Sequence, residues 1–137
     1  MNLKTLTLAL ALLLLLGCRE DIEKPIESDI EVEVLQTNGK TQIIVETLED
    51  YPDSGYEIIY TKRHFGKSIT ISFRHIKDHG GGFGALMPAS ATIDLGNLED
   101  EEFDIRFKLN GVTTKGSLII NPLHIDLEEG KNVNVKK

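Results

Sequence analysis

The chain has 137 residues and a formal charge of −7, from 15 basic and 22 acidic side chains, with four His, one Cys and no Trp. That length suits one domain and is too short for a barrel enzyme or a two-domain dinucleotide enzyme. The acidic balance argues against nucleic-acid binding, which needs clustered Lys and Arg, and a lone Cys allows neither an internal disulfide framework nor a multi-Cys zinc site.

The first elements in chain order are a positive start ending at Lys4, an uncharged Leu- and Ala-rich run from Leu6 to Leu16, and the small residue Gly17. This is the pattern of a secretory signal, and the run is shorter than the roughly 20 apolar residues that span a bilayer core. The junction Leu15-Leu16-Gly17-Cys18 resembles the lipobox of bacterial lipoproteins. The resemblance implies that residues 1–17 are a signal peptide cut between Gly17 and Cys18. It also implies that Cys18 carries a diacylglycerol thioether, with palmitate or a similar chain on the new amino terminus. Several acyl chains hold a protein on a membrane, since each buried methylene contributes about 0.8 kcal/mol. The expected location is therefore the bacterial cell envelope.

Residues 18–29 follow as Cys-Arg-Glu-Asp-Ile-Glu-Lys-Pro-Ile-Glu-Ser-Asp. A polar, acidic stretch with little apolar surface to bury reads as a flexible tether. Arg19-Glu20-Asp21 is similar to the acidic export signal that follows the lipidated Cys in some Gram-negative phyla, which implies an outer-membrane, surface-exposed position.

From residue 30 the apolar pattern has period two, and no segment shows helical spacing. The expected domain, residues 30–127, is all-β. Asn38-Gly39 and Asn110-Gly111 are strong hairpin signals, because a type I′ turn needs positive φ at both central residues. The first sets Val34 opposite Ile43, Val32 opposite Val45 and Ile30 opposite Thr47. The second sets Leu109 opposite Val112, Phe107 opposite Thr114, Ile105 opposite Gly116 and Phe103 opposite Leu118, with Asp104, Arg106, Lys108, Lys115 and Ser117 on the other face. A third hairpin closed by Arg63-His64-Phe65-Gly66 sets Tyr60 against Ile69, Ile58 against Ile71 and Tyr56 against Phe73. Seven strands result, over 30–36, 42–48, 56–62, 67–76, 91–95, 103–109 and 112–120. Leu123, Ile125 and Leu127 alternate as a short edge strand would, and residues 128–137 read as a polar tail that frays.

Seven strands joined in this order suit a seven-stranded antiparallel two-sheet sandwich, and they resemble the immunoglobulin-like and fibronectin type III architecture. The likeness is strongest at Ile93-Asp94-Leu95-Gly96-Asn97-Leu98 leading to Phe103, similar to the corner at which those folds open their penultimate strand with a tyrosine.

The residues that could carry chemistry are few. His75 and His79 end a strand and begin a loop, with His64 and His124 elsewhere, and no carboxylate spacing completes a metal site. Asp78, His79 and Ser90 lack the Gly-x-Ser-x-Gly elbow or any comparable nucleophile context. Neither a metal, a cofactor nor an enzymatic activity is expected. Gly80-Gly81-Gly82-Phe83-Gly84 presents Phe83 on a loop over about 77–90; it lacks the Lys-Ser/Thr of a phosphate loop.

Tyr51-Pro52-Asp53-Ser54-Gly55-Tyr56 and Gly80 to Gly84 resemble two of the three loops with which chagasin-type inhibitors, which are immunoglobulin-like, enter cysteine-peptidase clefts. The likeness lies in the Pro, Gly and aromatic spacing; the third loop of that family, built on Arg-Pro-Trp, has no counterpart. It implies Tyr51, Tyr56, Gly81 and Phe83 as binding-loop residues, emerging at one end of the domain together with Asn110-Gly111. The reading that follows is a membrane-anchored envelope lipoprotein acting as a non-catalytic binding or structural accessory module. Its partner would be an envelope protein or a glycan, and a cysteine-peptidase inhibitor is the alternative.

Overall fold

The computed structural model describes residues 21–52, 54–80 and 84–137. The expected signal peptide with Gly17 and Cys18, and the loop residues Gly81 and Phe83, lie outside them. Within the described residues the chain is all-β, with ten strands: β1 (Ile22–Lys24), β2 (Ile30–Thr37), β3 (Lys40–Tyr51), β4 (Tyr56–Phe65), β5 (Ser68–Asp78), β6 (Met87–Gly96), β7 (Glu102–Leu109), β8 (Val112–Ile120), β9 (Leu123–Leu127) and β10 (Val133–Val135).

These strands form one sheet in the order β10-β2-β3-β6-β4-β5-β7-β8-β9, with β1 paired to β5. Strand β9, at one end of the path, packs against β2 and β10 at the other, so the sheet curls into a nearly closed barrel. Two features of the expected immunoglobulin-like sandwich therefore change. The strands number ten in place of seven, and three pairings, β10 with β2, β4 with β6 and β5 with β7, are parallel. Parallel neighbours come from strands that are not consecutive in the chain, which hairpin signals do not report. Long strands interrupted by register shifts, between Glu46 and Asp50 in β3 and between Ile59 and Tyr60 in β4, let one sheet bend round a corner where two packed sheets are expected.

Two hairpins have the register that their turns predict. Ile30 pairs with Thr47, Val32 with Val45 and Val34 with Ile43, and in the other Phe103 pairs with Leu118 and Phe107 with Thr114. All four turn residues have positive φ, 52° and 77° at Asn38-Gly39 and 51° and 76° at Asn110-Gly111. The third hairpin differs. It closes at Gly66-Lys67, with Gly66 at φ 57° in the Gly-first pattern of a type II′ turn. Tyr60 pairs with Phe73 in place of Ile69, an even slip that keeps both on the core face. Arg74 is then an extra residue, since Tyr60 pairs with Phe73 but Ile59 with His75. This bulge flips the parity, so Ile76 replaces a residue at position 75 in the core and Tyr56 comes opposite Asp78.

The barrel interior takes one face of every long strand, including Ile43, Ile58, Ile71, Ile93, Ile105 and Phe107, all fully buried. Both flanking segments join it. Residues 18–29 were expected to be a free tether, yet β1 pairs with β5 and Ile26 is 2% exposed. The Asn110 side chain donates a 2.6 Å hydrogen bond to the Ile26 carbonyl. A mean polar composition hides single apolar residues such as Ile26, which cover an open barrel end. Residues 128–137, expected to fray, hold β10, in which Val133 is 1% exposed and pairs with Ile30. The glycine-rich loop is shorter than expected, because β5 continues to Asp78 and β6 starts at Met87.

Candidate functional site

Strand alternation sends every second side chain of β4, β5 and β7 outward, and their register stacks those side chains into rows. Arg63 lies beside Thr70, which lies beside Arg106, which faces Lys115 on β8. One row along, Thr61 lies beside Ser72 and Ser72 beside Lys108. A groove of about 620 Å³ runs over these rows, lined by Thr61, Arg63, Phe65, Ser68, Thr70, Ser72, Arg74 and Lys108. Among the described residues no carboxylate lines it; Asp104 flanks it, across from Ser68.

Arg63, Arg74 and Lys108 make no ion pair among the described residues. Arg106 and Lys115, directly opposite each other, are a like-charge pair of the kind that destabilises a ladder. The Arg106 guanidinium donates to Ser68 Oγ at 3.1 Å. Phe65, at the turn end of the groove, is 88% exposed. In a protein of net charge −7, a concave cationic surface concentrates its field outward and attracts anions. Its volume falls in the range of ligand clefts, about 300–1,000 Å³, but its lining is polar where small-molecule pockets are mostly apolar.

Of the residues predicted from the loops, Tyr51 and Tyr56 sit elsewhere, at the end of the barrel where β5 finishes. Tyr51 and Tyr56 come together with ring centroids 4.9 Å apart, and the Lys24 ammonium lies 5.3 Å from the Tyr56 ring centre. The His79 amide donates to the Gly55 carbonyl at 3.1 Å, joining the Tyr51–Tyr56 turn to the start of the glycine-rich loop. Burial, reinforced by the charges of Glu49 and Glu27, raises the Tyr51 hydroxyl above the usual tyrosine range. The Asn110-Gly111 turn shares this end, because β7 runs parallel to β5.

The histidines do not converge. His75 pairs with Glu23 at 3.3 Å and His79 with Glu57 at 2.5 Å, while His124 bonds the Pro122 carbonyl. Among the described residues no three of His, Cys, Asp and Glu are placed to hold a metal ion. His79 is engaged with Glu57, and Ser90 lies across from Glu57 in the single β4–β6 pair.

Alternation shows Arg106, Lys108 and Lys115 facing outward, but it does not join them to Arg63 and Arg74. The alternations Thr61-x-Arg63-x-Phe65 and Ser68-x-Thr70-x-Ser72 carry the signal; the parallel β5–β7 pairing that assembles them does not appear in it. The chain matches no protein-family model, no curated protein and no solved structure.

Proposed function

We propose that the chain is a lipid-anchored protein of the bacterial cell envelope, attached through Cys18 and acting as a non-catalytic binding module through the groove on β4, β5 and β7. The observation that carries the binding reading is the set of unpaired cations Arg63, Arg74 and Lys108 in one groove of an acidic protein. Leu15-Leu16-Gly17-Cys18 supports the anchor. Four residue steps separate Cys18 from Ile22, at most about 14 Å of chain, and Ile22 pairs with Asp78. An anchor at Cys18 would thus hold the Tyr51–Tyr56 end near the bilayer, with the groove running up the flank toward Gly66-Lys67. Palmitate labelling tests the attachment. Label is expected in the wild-type chain and absent from Cys18→Ala, and equal labelling of the two rejects it.

A second reading, inhibition of cysteine peptidases, is favoured by the contact of Tyr51 with Tyr56 and by the His79–Gly55 bond, since the two loops share one end. That end would also be the anchored one, which leaves little room for a protease cleft. The purified chain is therefore expected to leave papain-like peptidases uninhibited at micromolar concentration. Inhibition lost on changing Tyr56 would reverse this preference.

A further inference from the structure

We infer that the groove binds an extended acidic polysaccharide through its carboxylates, a conclusion that rests on the reading of this groove as the binding surface. The floor is β5, where the Thr70 and Ser72 hydroxyls face outward with no protein partner among the described residues. The walls are cationic: Arg63 on β4 beside Thr70, and Lys108 on β7 beside Ser72. These walls stand two strand spacings apart, about 10 Å at the backbone, so a chain lying along β5 meets positive charge on both sides.

From Ser68 to Arg74 the groove extends six residue steps, about 20 Å, which is longer than a single sugar. Arg74, the extra residue of the bulge, still faces outward like Ser68, Thr70 and Ser72 and stands at the far end of the lining. An Arg fork matches a carboxylate with two parallel hydrogen bonds, and free hydroxyls suit the donors and acceptors of a sugar ring. Phe65, 88% exposed at the other end, offers an apolar face to the C–H side of such a ring.

The alternatives fit less well. A single-stranded nucleic acid gains its affinity from bases stacked on a row of aromatic side chains, and Phe65 is the one aromatic among the described lining residues. An acidic peptide would use the cations but offers the hydroxyl floor one amide donor and one carbonyl per residue, where each sugar ring offers several hydroxyls.

The test is affinity electrophoresis of the full chain, purified in non-ionic detergent, through gels containing polygalacturonate, neutral dextran, poly-glutamate or single-stranded DNA. Retardation is expected in polygalacturonate, weakening as salt rises, and absent in dextran. Joint Arg63→Gln and Lys108→Gln substitution should weaken it at least about tenfold, the loss of two charge-assisted contacts. Phe65→Ser should weaken it less and leave its salt dependence unchanged. These side chains are on the outer face, and a far-ultraviolet spectrum checks that each variant keeps its strands. Equal retardation by poly-glutamate or DNA, lost in the double variant, overturns the polysaccharide assignment while the groove still stands as a binding surface. Retardation by polygalacturonate that the double variant retains, or no retardation in any gel, overturns both.

Discussion

Gly116 of β8 lies so close beneath the β9 backbone that a Cβ there would stand 2.0 Å from the Asp126 carbonyl oxygen and 2.6 Å from Leu127 Cδ2. The obstacle is main chain, which cannot rotate away as a long side chain can. Gly116 also pairs with Ile105 on one side and Leu127 on the other, so it is held where β9 folds over the sheet. Gly116→Ala is expected to cost about 3 kcal/mol, the upper end of the usual overpacking range. Urea unfolding measures it; a change below about 0.5 kcal/mol would show that β9 moves aside freely.

Phe107 is fully buried and stacks on Phe73, with centroids 6.0 Å apart and ring planes 11° from parallel. Phe107→Ala should lower stability by about 3–5 kcal/mol, a large part of the roughly 5–15 kcal/mol that holds a domain together. The same denaturation experiment reads it. Because Phe73 loses its stacking partner in this variant, Phe73→Ala and the double substitution should be non-additive.

Tyr51 and Tyr60 are both shifted upward, first by burial and then by nearby carboxylates, Glu49 and Glu27 for Tyr51, Glu57 and Asp94 for Tyr60. A raised folded value means that the native state keeps these protons longer than the unfolded chain. Their contribution to stability is therefore complete below the usual tyrosine value of about 10 and is lost as pH rises through the folded values. Ultraviolet titration should show phenolate absorbance appearing above that usual value, and Tyr51→Phe should remove part of the late component. Late absorbance unchanged in Tyr51→Phe would contradict it.

The attachment of β1 should depend on pH in a defined way. Lys77 donates to the Asp21 carboxylate at 2.8 Å, which lowers the acid and raises the ammonium. The lowered carboxyl contributes above the ordinary Asp value, and that contribution is lost as pH falls through the folded value. The raised ammonium contributes below the ordinary Lys value and is lost as pH climbs through its own. Both groups are solvent-exposed, so the effect is local fastening. Hydrogen exchange of the β1 amides should accelerate in Asp21→Asn at neutral pH while the β7–β8 amides stay protected. Equal acceleration in both regions would contradict a local role.

The legible parts of this protein are those whose information is local in the chain. Asn38-Gly39 and Asn110-Gly111 determine two hairpins, because two positive φ values leave few alternatives and a fixed turn sets every pair behind it. Inner parity along Phe103, Ile105 and Phe107 is read from alternation alone, and all three are buried. The Gly66-Lys67 turn was within reach of the same logic. A four-residue turn at Arg63–Gly66 ends the first strand at residue 62, three short of Phe65, and shifts the pairing by four, which leaves no sign of the Arg74 bulge.

What the sequence by itself determined is strand content, facing and turn chemistry, since these depend on φ/ψ preference and on apolar period over a few residues. The tertiary structure decided which strands become neighbours. Parallel pairing of β5 with β7, docking of Ile26 and Val133 into the barrel, and the approach of β9 to β2 join residues far apart in the chain. Such contacts are selected by the shared burial of whole faces and by loop closure. The groove belongs to this second kind. Arg63, Arg74 and Lys108 are ordinary outward residues on their own strands, and only the pairing of β4, β5 and β7 brings their charges to one surface.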